Sequence, residues 1–177
     1  MAADPDGELT VTLATRSDGP LIACLLNDYL AELKSHREVD IGASDAASYP
    51  YFEAYWREAE RSPFIIHHSG EIVGFVFVRR RPADDPPMIE LAELYIKPAY
   101  RRRGLGRAVL GELSRRYPGD WELQVLAKNT GALGFWASSI ESVTQVRPTT
   151  REIQSRDGRR VQFNFHVTRA LPIRNCR

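Results

Sequence analysis

The chain has 177 residues, of which 43% are hydrophobic and 27% are charged, a composition typical of a folded globular protein and not of a disordered one. Its 24 basic and 23 acidic residues nearly cancel, which argues against a dedicated nucleic-acid-binding protein, because such proteins depend on excess positive charge. No apolar stretch approaches the roughly 18 residues that cross a bilayer, the N-terminus has no apolar signal segment, and two cysteines are too few for a disulfide framework. We therefore expect one cytoplasmic domain over residues 1–177, with its core at residues 8–170 and with no nucleic-acid or membrane partner.

Hydrophobic patterning predicts strands and helices along the whole chain. Alternation with a period of two predicts a strand, and apolar residues three and four positions apart predict a helix. The predicted strands are Leu9–Ala14, Phe64–His68, Ile72–Arg80, Met88–Ile96, Trp121–Leu126, Ser142–Arg147 and Val161–Thr168. The predicted helices are Leu21–Leu33, Tyr51–Arg61, Leu105–Tyr117 and Thr130–Ser139. The order β-α-α-β-β-β-α-β-α-β-β indicates an α+β fold (an α/β sandwich), in which antiparallel strands precede a β-α-β crossover.

Three connections are informative. The segment Ser35–Pro50 is polar, acidic and irregular, and it predicts a loop. Ser69-Gly70 stands between two apolar runs and predicts a hairpin turn. The last two predicted strands would form a second hairpin, with a long connection that passes through Asp157-Gly158.

The most informative segment covers residues 93–107. A strand leads there through Lys97-Pro98 into the pattern Arg101-x-x-Gly104-x-Gly106, and a helix follows directly. Glycine permits positive φ angles and close backbone approach, and the first turn of a helix presents unpaired N–H groups at the positive end of its dipole. A phosphate or pyrophosphate suits such a loop. The pattern is not a Walker A motif and lacks the third glycine of a dinucleotide fingerprint, but a glycine turn that only caps a helix remains an alternative.

Two motifs in the second half of the chain occur together, in this order, in one enzyme superfamily. The first is Arg101–Gly106, which matches the pattern [RQ]-x-x-G-x-[GA] after a fourth strand. The second is Asn129–Trp136, which matches N-x-x-A-x-x-F-[YW] after the next strand. The sequence thus resembles the GNAT superfamily of acyl-CoA-dependent N-acetyltransferases, over about Phe64–Ile140. The resemblance implies a twisted mixed sheet of six or seven strands flanked by about four helices.

The resemblance also implies acetyl-CoA, or another short acyl-CoA, as co-substrate. The fourth strand would bind the pantetheine arm where it parts from the fifth strand, and the glycine loop would cradle the pyrophosphate. Asn129 would contact the pantetheine arm, and Phe135 and Trp136 would wall the thioester end. The residues assigned to acyl-CoA binding in this way are Leu94, Tyr95, Ile96, Arg101, Arg102, Arg103, Gly104, Leu105, Gly106, Arg107, Asn129, Phe135 and Trp136. No metal site is expected.

Acetyl transfer to an amine requires a base, because an alkylamine with a pKa of about 10.4 is mostly ammonium at pH 7. The resemblance places this base on the fourth strand, where Glu93 is the preferred candidate. Glu90 is the alternative, and the alternation of a strand predicts that it lies on the opposite face from Glu93. Trp136 stands where many relatives carry a tyrosine that is proposed to protonate the leaving thiolate. An indole N–H is not a useful acid near neutral pH.

The resemblance leaves the acceptor open. In this family the first two helices wall the acceptor pocket, which makes Asp28, Tyr29, Glu32 and Tyr55 candidate substrate residues. We predict an N-acetyltransferase that moves an acetyl group from acetyl-CoA to a primary amine of a small molecule, peptide or protein. The alternative is a GNAT-fold protein with little catalysis that binds acyl-CoA as a sensor or as a partner of another protein. A homodimer is also expected, with the terminal hairpin as its contact.

Overall fold

The computed structural model describes residues 7–38 and 42–169, so Ala170 at the end of the predicted core lies outside the described residues. The strands are β1 (Leu9–Leu13), β2 (Arg61–His68), β3 (Glu71–Arg81), β4 (Met88–Ile96), β5 (Gly119–Leu126), β6 (Thr149–Ser155) and β7 (Gly158–Val167). The α-helices in this part of the chain are α1 (Gly19–Lys34), α2 (Leu105–Arg116) and α3 (Thr130–Thr144). All seven strands form one mixed sheet in the order β1-β2-β3-β4-β5-β7-β6. The predicted α+β fold class is confirmed.

The sheet separates two apolar clusters. Helix α1 packs on one face, where Ile22 meets Phe75 of β3. Helices α2 and α3 cover the other face, where Leu110 and Ile140 join a larger cluster that includes Trp121 of β5. All five side chains are fully buried, and the apolar stripe of each helix thereby gains its stability from the sheet. Among the described residues, no helix combines the length and the apolar character needed to cross a membrane.

The helix predicted at Tyr51–Arg61 is wrong. The structure has only a short 3-10 helix at Glu53–Trp56, and Arg61 already begins β2. Tyr55 stacks on Phe77 with ring centroids 4.0 Å apart, and the Arg61 guanidinium carbon lies 5.2 Å from the centre of the Tyr55 ring. These side chains pack individually onto the sheet and onto each other. Their tertiary contacts therefore prevail over the local spacing that predicted an amphipathic helix.

The strand predicted at Ser142–Arg147 is also wrong, because α3 continues through its first half, to Thr144. Val143 packs against the same cluster as the buried Ile140, so the apolar residues extend a helical face and do not begin a strand. The sixth strand follows later, as the exposed and mostly polar β6 at the edge of the sheet. A polar edge strand lacks the apolar alternation that a sequence prediction needs. Its connection to β7 is a tight turn, since Ser155 pairs with Gly158.

One extra residue on β4 interrupts its pairing with β3. Phe77 pairs with Glu93, but the next residue of β3 pairs with Leu91, so Ala92 has no partner. Such a bulge bends a strand and redirects its side chains. On its other side, β4 pairs in parallel with β5 only over Met88–Glu90, whereas β5 pairs with β7 along its whole length. The two central strands therefore separate, and the β5-facing edge of the second half of β4 has no strand partner.

We expect Gly74→Ala to destabilise the protein. A Cβ atom at Gly74, on β3, would lie 2.0 Å from the backbone oxygen of Tyr95 on β4, so the two strands would have to move apart. Overpacking of this kind costs about 1–3 kcal/mol, and the free energy of unfolding in urea should fall by that amount.

Gly111→Ala is the matched control for this measurement. A Cβ atom at Gly111, within α2, meets nothing within 4 Å, and alanine has the higher helix propensity. The free energy of unfolding should therefore rise by about 0.5–1 kcal/mol. Equal effects of the two substitutions would contradict the close approach of β3 and β4.

Candidate active site

The loop before α2 has the geometry of an anion site. Gly104 adopts a φ of +76°, a left-handed conformation that favours glycine. The helix begins with a hydrogen bond from the Ala108 N–H to the Gly104 carbonyl, which leaves the amides of residues 105–107 without an acceptor in the helix. Arg102 and Arg107 are exposed beside these amides. The loop thus presents backbone N–H groups and positive charge together, as a phosphate group requires.

A cleft of about 610 Å³ opens beside this loop, at the end of β4 and between the three helices. Arg103 is the one predicted acyl-CoA residue that does not line it. Its guanidinium donates a hydrogen bond to the Ala99 carbonyl at 2.9 Å and lies 5.6 Å from the centre of the Tyr100 ring. The other predicted residues all line the cleft: Leu94, Tyr95, Ile96, Arg101, Arg102, Gly104, Leu105, Gly106, Arg107, Asn129, Phe135 and Trp136.

Arg101 connects α1 to the end of β4 at the rim of the cleft. Its Nη2 donates to both carboxylate oxygens of Glu32, at 2.7 and 2.8 Å, and its Nε donates to the Ile96 carbonyl at 2.7 Å. The guanidinium carbon also lies 5.5 Å from the centre of the Tyr95 ring. Arg101 and Glu32 were predicted to bind acyl-CoA and substrate, respectively. In the structure their charges satisfy each other and fix the helix beside the strand.

The start of α3 forms another wall of the cleft. Asn129 is the N-cap of the helix, and its Oδ1 accepts a hydrogen bond from the Ala132 N–H at 3.1 Å. Phe135 is 37% exposed and meets the buried Trp136 edge to face, with ring centroids 5.0 Å apart. The cap sets the direction of α3, and the helix then presents both rings to the cleft.

Two tyrosines hold the carboxylate of Glu93. Tyr29, on α1, donates a hydrogen bond to Oε2 at 2.5 Å, and Tyr49, in the loop after α1, donates one to Oε1 at 3.0 Å. Burial raises the pKa of Glu93 above its usual range, although both hydrogen bonds act in the opposite direction. Burial and the charge of Glu93 raise the pKa of each tyrosine. Both hydroxyls therefore stay protonated near neutral pH, beside a carboxylate with increased proton affinity.

Glu90 lies on the same face of the sheet as Glu93, so its predicted placement on the opposite face is wrong. The extra residue at Ala92 shifts the alternation of β4 between the two carboxylates. Both line a cavity of about 180 Å³, here called the small cavity. Arg79 lies beside Glu90, with Nη1 3.8 Å from Oε2. Burial raises the pKa of Glu90, and the charge of Arg81 opposes this effect.

The sequence prediction missed most of the residues around the small cavity. The missed residues with polar side chains are Tyr49, Tyr51, Arg61, Arg79, Gln124 and Arg160. Tyr49 lies in a segment predicted only as a loop, and Arg160 lies in the predicted connection between the last two strands. No local pattern distinguishes either residue, because only the pairing of distant strands and the packing of the loop bring them to Glu93.

A third cavity of about 120 Å³ lies between the separated strands β4 and β5, and we call it the connecting cavity. It shares Tyr29, Leu94 and Trp136 with the cleft, and it shares Glu93 and Arg160 with the small cavity. The three cavities therefore adjoin one another, from the loop before α2 to the two carboxylates. Glu93 stands where the connecting cavity meets the small cavity.

The predicted substrate residues divide into two pairs. Tyr29 and Glu32 line the cleft. Asp28 is exposed on α1, and Tyr55 is 3% exposed beneath the loop, where it packs on Phe77. Asp28 and Tyr55 line none of the three cavities.

The turn between β6 and β7 closes the site against the segment after α1. The Glu38 N–H donates to the Asp157 carbonyl at 2.9 Å, and the Glu38 carboxylate accepts hydrogen bonds from the Arg159 N–H and Nε, each at 3.2 Å. Asp157 in turn accepts two hydrogen bonds from Arg160, at 2.7 and 3.2 Å. The charge of Arg160 thereby stays near Glu93, where it lowers the pKa of that carboxyl.

Comparison with known protein families identifies the chain. The model of the Acetyltransferase (GNAT) family matches residues 27–139, which is more than half of the sequence. The chain belongs to this family. No curated protein sequence matches it.

Solved structures of GNAT acetyltransferases share the fold at low sequence identity. An acetyltransferase from Thermus thermophilus is 16% identical with a TM-score of 0.66, over 89% of this chain and 96% of the other. A spermidine N-acetyltransferase from Vibrio cholerae, in complex with CoA and spermine, is 15% identical with a TM-score of 0.59, over 90% and 95%. An aminoglycoside acetyltransferase in complex with coenzyme A is 15% identical with a TM-score of 0.62, over 90% and 95%. At these identities the likeness shows the fold alone.

Glu93→Gln should stabilise the protein at neutral pH. The pKa of Glu93 in the folded protein lies above the ordinary value of 4.5. The neutral form of Glu93 therefore stabilises the folded protein fully at pH values below 4.5, and this stabilisation is lost as the pH rises through the raised pKa. Glutamine stays neutral throughout. Thermal unfolding should show a higher Tm for Glu93→Gln than for wild type at pH 7, with the difference shrinking towards pH 4.

The exposed Glu152, on β6, supplies the control. Glu152→Gln should leave Tm nearly unchanged at both pH values, because its carboxylate is already in water. The same pH-dependent increase in Tm in Glu93→Gln and in Glu152→Gln would contradict the burial of an ionised Glu93.

Proposed function

We propose that the protein is an N-acetyltransferase that moves an acetyl group from acetyl-CoA, or another short acyl-CoA, to a primary amine of a small molecule or peptide. The observation that carries this proposal is the position of Glu93. Its buried carboxylate has a raised pKa and stands between a cleft of about 610 Å³ and a small cavity of about 180 Å³. A base in this position could remove a proton from a nucleophile bound in the small cavity while that nucleophile attacks a group bound in the cleft.

The cleft residues fit an acyl-CoA. The unpaired amides of residues 105–107, at the positive end of α2, would hold the pyrophosphate. A Cβ atom at Gly104 would meet nothing within 4 Å, so the space above this backbone is open to a phosphate. At the unpaired edge of β4, the backbone groups of Leu94 and the N–H of Ile96 would bind the amides of a pantetheine arm, whereas the backbone groups of Tyr95 face β3. The two neighbours whose structures contain CoA have the same fold.

The chemistry follows from these groups. An acceptor amine arrives mostly as ammonium, and Glu93 removes the proton that blocks its lone pair. The raised pKa of Glu93 brings its proton affinity closer to neutral pH, where a general base is most efficient. The backbone N–H of Leu94, which faces the free edge of β4, would polarise the thioester carbonyl as an oxyanion-hole donor. Phe135 and Trp136 would wall the thioester.

The small cavity suits a compact amine or the end of a longer one. Each arginine of its lining has a carboxylate partner, because Arg61 pairs with Glu58, Arg79 with Glu90 and Arg160 with Asp157. Glu93, whose hydrogen-bond partners are neutral hydroxyls, is the carboxylate that would receive an ammonium group, and Tyr49 and Tyr51 supply aromatic surface. The neighbours include a spermidine N-acetyltransferase in complex with CoA and spermine, and an aminoglycoside acetyltransferase. We therefore place small polyamines, amino sugars and peptide amino groups first in a substrate screen.

Consumption of acetyl-CoA with a panel of these amines tests the function. Wild type should turn over at least one class, and Glu93→Gln should lower kcat by about 10²–10⁴-fold while the Kd for acetyl-CoA stays nearly unchanged. An unchanged rate would transfer the role of base to Glu90. Binding of acetyl-CoA without turnover of any amine would contradict the enzyme and support a sensor.

Gly104→Val should abolish the binding of acetyl-CoA. The substitution places a branched side chain at a φ of +76° and in the open space above the loop. Isothermal titration should detect no acetyl-CoA binding to this variant, whereas Gly111→Ala, in the same helix, should bind as wild type does. Circular dichroism should show that both variants are folded. Normal binding by a folded Gly104→Val protein would refute the assignment of the loop.

A further inference from the structure

Tyr29 occupies the junction between the cleft and the connecting cavity. It lines both spaces, and its hydroxyl donates to Oε2 of Glu93 at 2.5 Å. Its ring packs edge-on against Phe75 and at a tilt against Tyr95, with ring centroids 6.0 Å apart in both pairs. The hydroxyl is therefore held between the carboxylate of Glu93 and the space in which a thioester would lie.

The other cleft residues supply no comparable path for a proton. Trp136 offers only an indole N–H, which is a hydrogen-bond donor and not an acid near neutral pH. Tyr95, Tyr100 and His36 line the cleft but not the connecting cavity. Tyr49 also donates to Glu93, but it lines the small cavity and not the cleft. Tyr29 thus joins the proposed base to the cofactor side of the site.

We propose, on the basis of the proposed acetyltransferase function, that Tyr29 passes the proton of the acceptor amine from Glu93 to the departing thiolate of CoA. The acceptor attacks as a neutral amine, after Glu93 has taken its ammonium proton and released it to solvent. The amine nitrogen bonds to the acetyl carbon and loses one further proton to the ionised Glu93, while the C–S bond breaks and its electron pair stays on sulfur. The sulfur takes the hydroxyl proton of Tyr29, and Tyr29 takes the proton from Glu93. The products are the amide and the CoA thiol, and both side chains regain their starting protonation states.

The hydrogen bond between the two side chains reverses when Glu93 is protonated. An ionised carboxylate only accepts hydrogen bonds, whereas a carboxylic acid has an O–H to donate. Protonated Glu93 therefore donates to the Tyr29 oxygen, and the hydroxyl hydrogen of Tyr29 becomes free to turn towards the cleft. Burial first, and the charge of ionised Glu93 second, raise the pKa of Tyr29. Protonation of Glu93 removes the second contribution, so Tyr29 is then a stronger acid than beside the carboxylate, although burial still holds its pKa above the ordinary value.

Tyr29→Phe and Tyr49→Phe form a matched pair of variants. Each removes one hydrogen bond from Glu93 and keeps an aromatic ring, but only the first changes a side chain that lines the cleft. A ¹³C NMR titration of the Glu93 carboxyl in the ligand-free protein should show that both substitutions raise its pKa. Isothermal titration should show wild-type affinity for CoA in both. The two variants then differ in the relay and not in the base or in cofactor binding.

Rapid-quench measurement of a single turnover separates the roles. Acetyl transfer should fall about 10²-fold in Tyr29→Phe and by less than about tenfold in Tyr49→Phe. Wild type should show a curved dependence of this rate on the fraction of D₂O, because several protons move in one step. The dependence should become linear in Tyr29→Phe and stay curved in Tyr49→Phe, which a purely structural role of Tyr29 would not produce.

The outcomes distinguish the relay from the function on which it rests. Equal rate losses in the two variants, or a linear D₂O dependence for wild type, would overturn the relay and leave the acetyltransferase in place. No turnover of any amine class by wild type would overturn both.

Discussion

The separation of β4 from β5 is the constraint on which the rest of the site depends. Parallel pairing ends after Glu90, and the extra residue at Ala92 bends β4 away and puts both carboxylates on one face. Backbone groups that a continuous sheet would use are left for a ligand. The gap also contains the connecting cavity, through which the cleft reaches Glu93. One extra residue thus links the architecture of the sheet to the position of Glu93.

Charge pairing organises the walls of the site. Arg101 holds Glu32 at the rim, and Arg160 is held by Asp157 close to Glu93. These partly exposed pairs contribute little stability individually, but each fixes the position of a helix, a turn or a guanidinium. Glu93 differs because its partners are neutral hydroxyls. The tyrosine hydroxyls satisfy the oxygens of Glu93, but they stabilise its negative charge less than a cation would. The proton affinity of the Glu93 carboxylate therefore stays high.

The parts that were predictable from the sequence are those encoded locally. The strand, glycine loop and helix around Gly104 are contiguous, and so are the N-cap Asn129 and the rings that follow it, so their motifs place them together. The bulge at Ala92 gives no local signal, and period-two reasoning consequently put Glu90 on the wrong face. Tyr49 reaches Glu93 from a loop whose conformation depends on packing against the finished sheet. The sequence does not predict the polar edge strand β6, because its extended conformation depends on pairing with β7 and not on burial of an apolar face.

The contacts between the β6–β7 turn and Glu38 join residues 121 positions apart in the chain. Strand β7 lies between β5 and β6, and it carries Arg160 into the site, so the wall beside Glu93 is complete only after β7 has been synthesised. Before it emerges, β5 has only the three-residue pairing with β4 to hold it in the sheet. Closing so long a loop is entropically costly and slow. A nascent chain therefore contains the glycine loop and Glu93 well before it has a formed pocket.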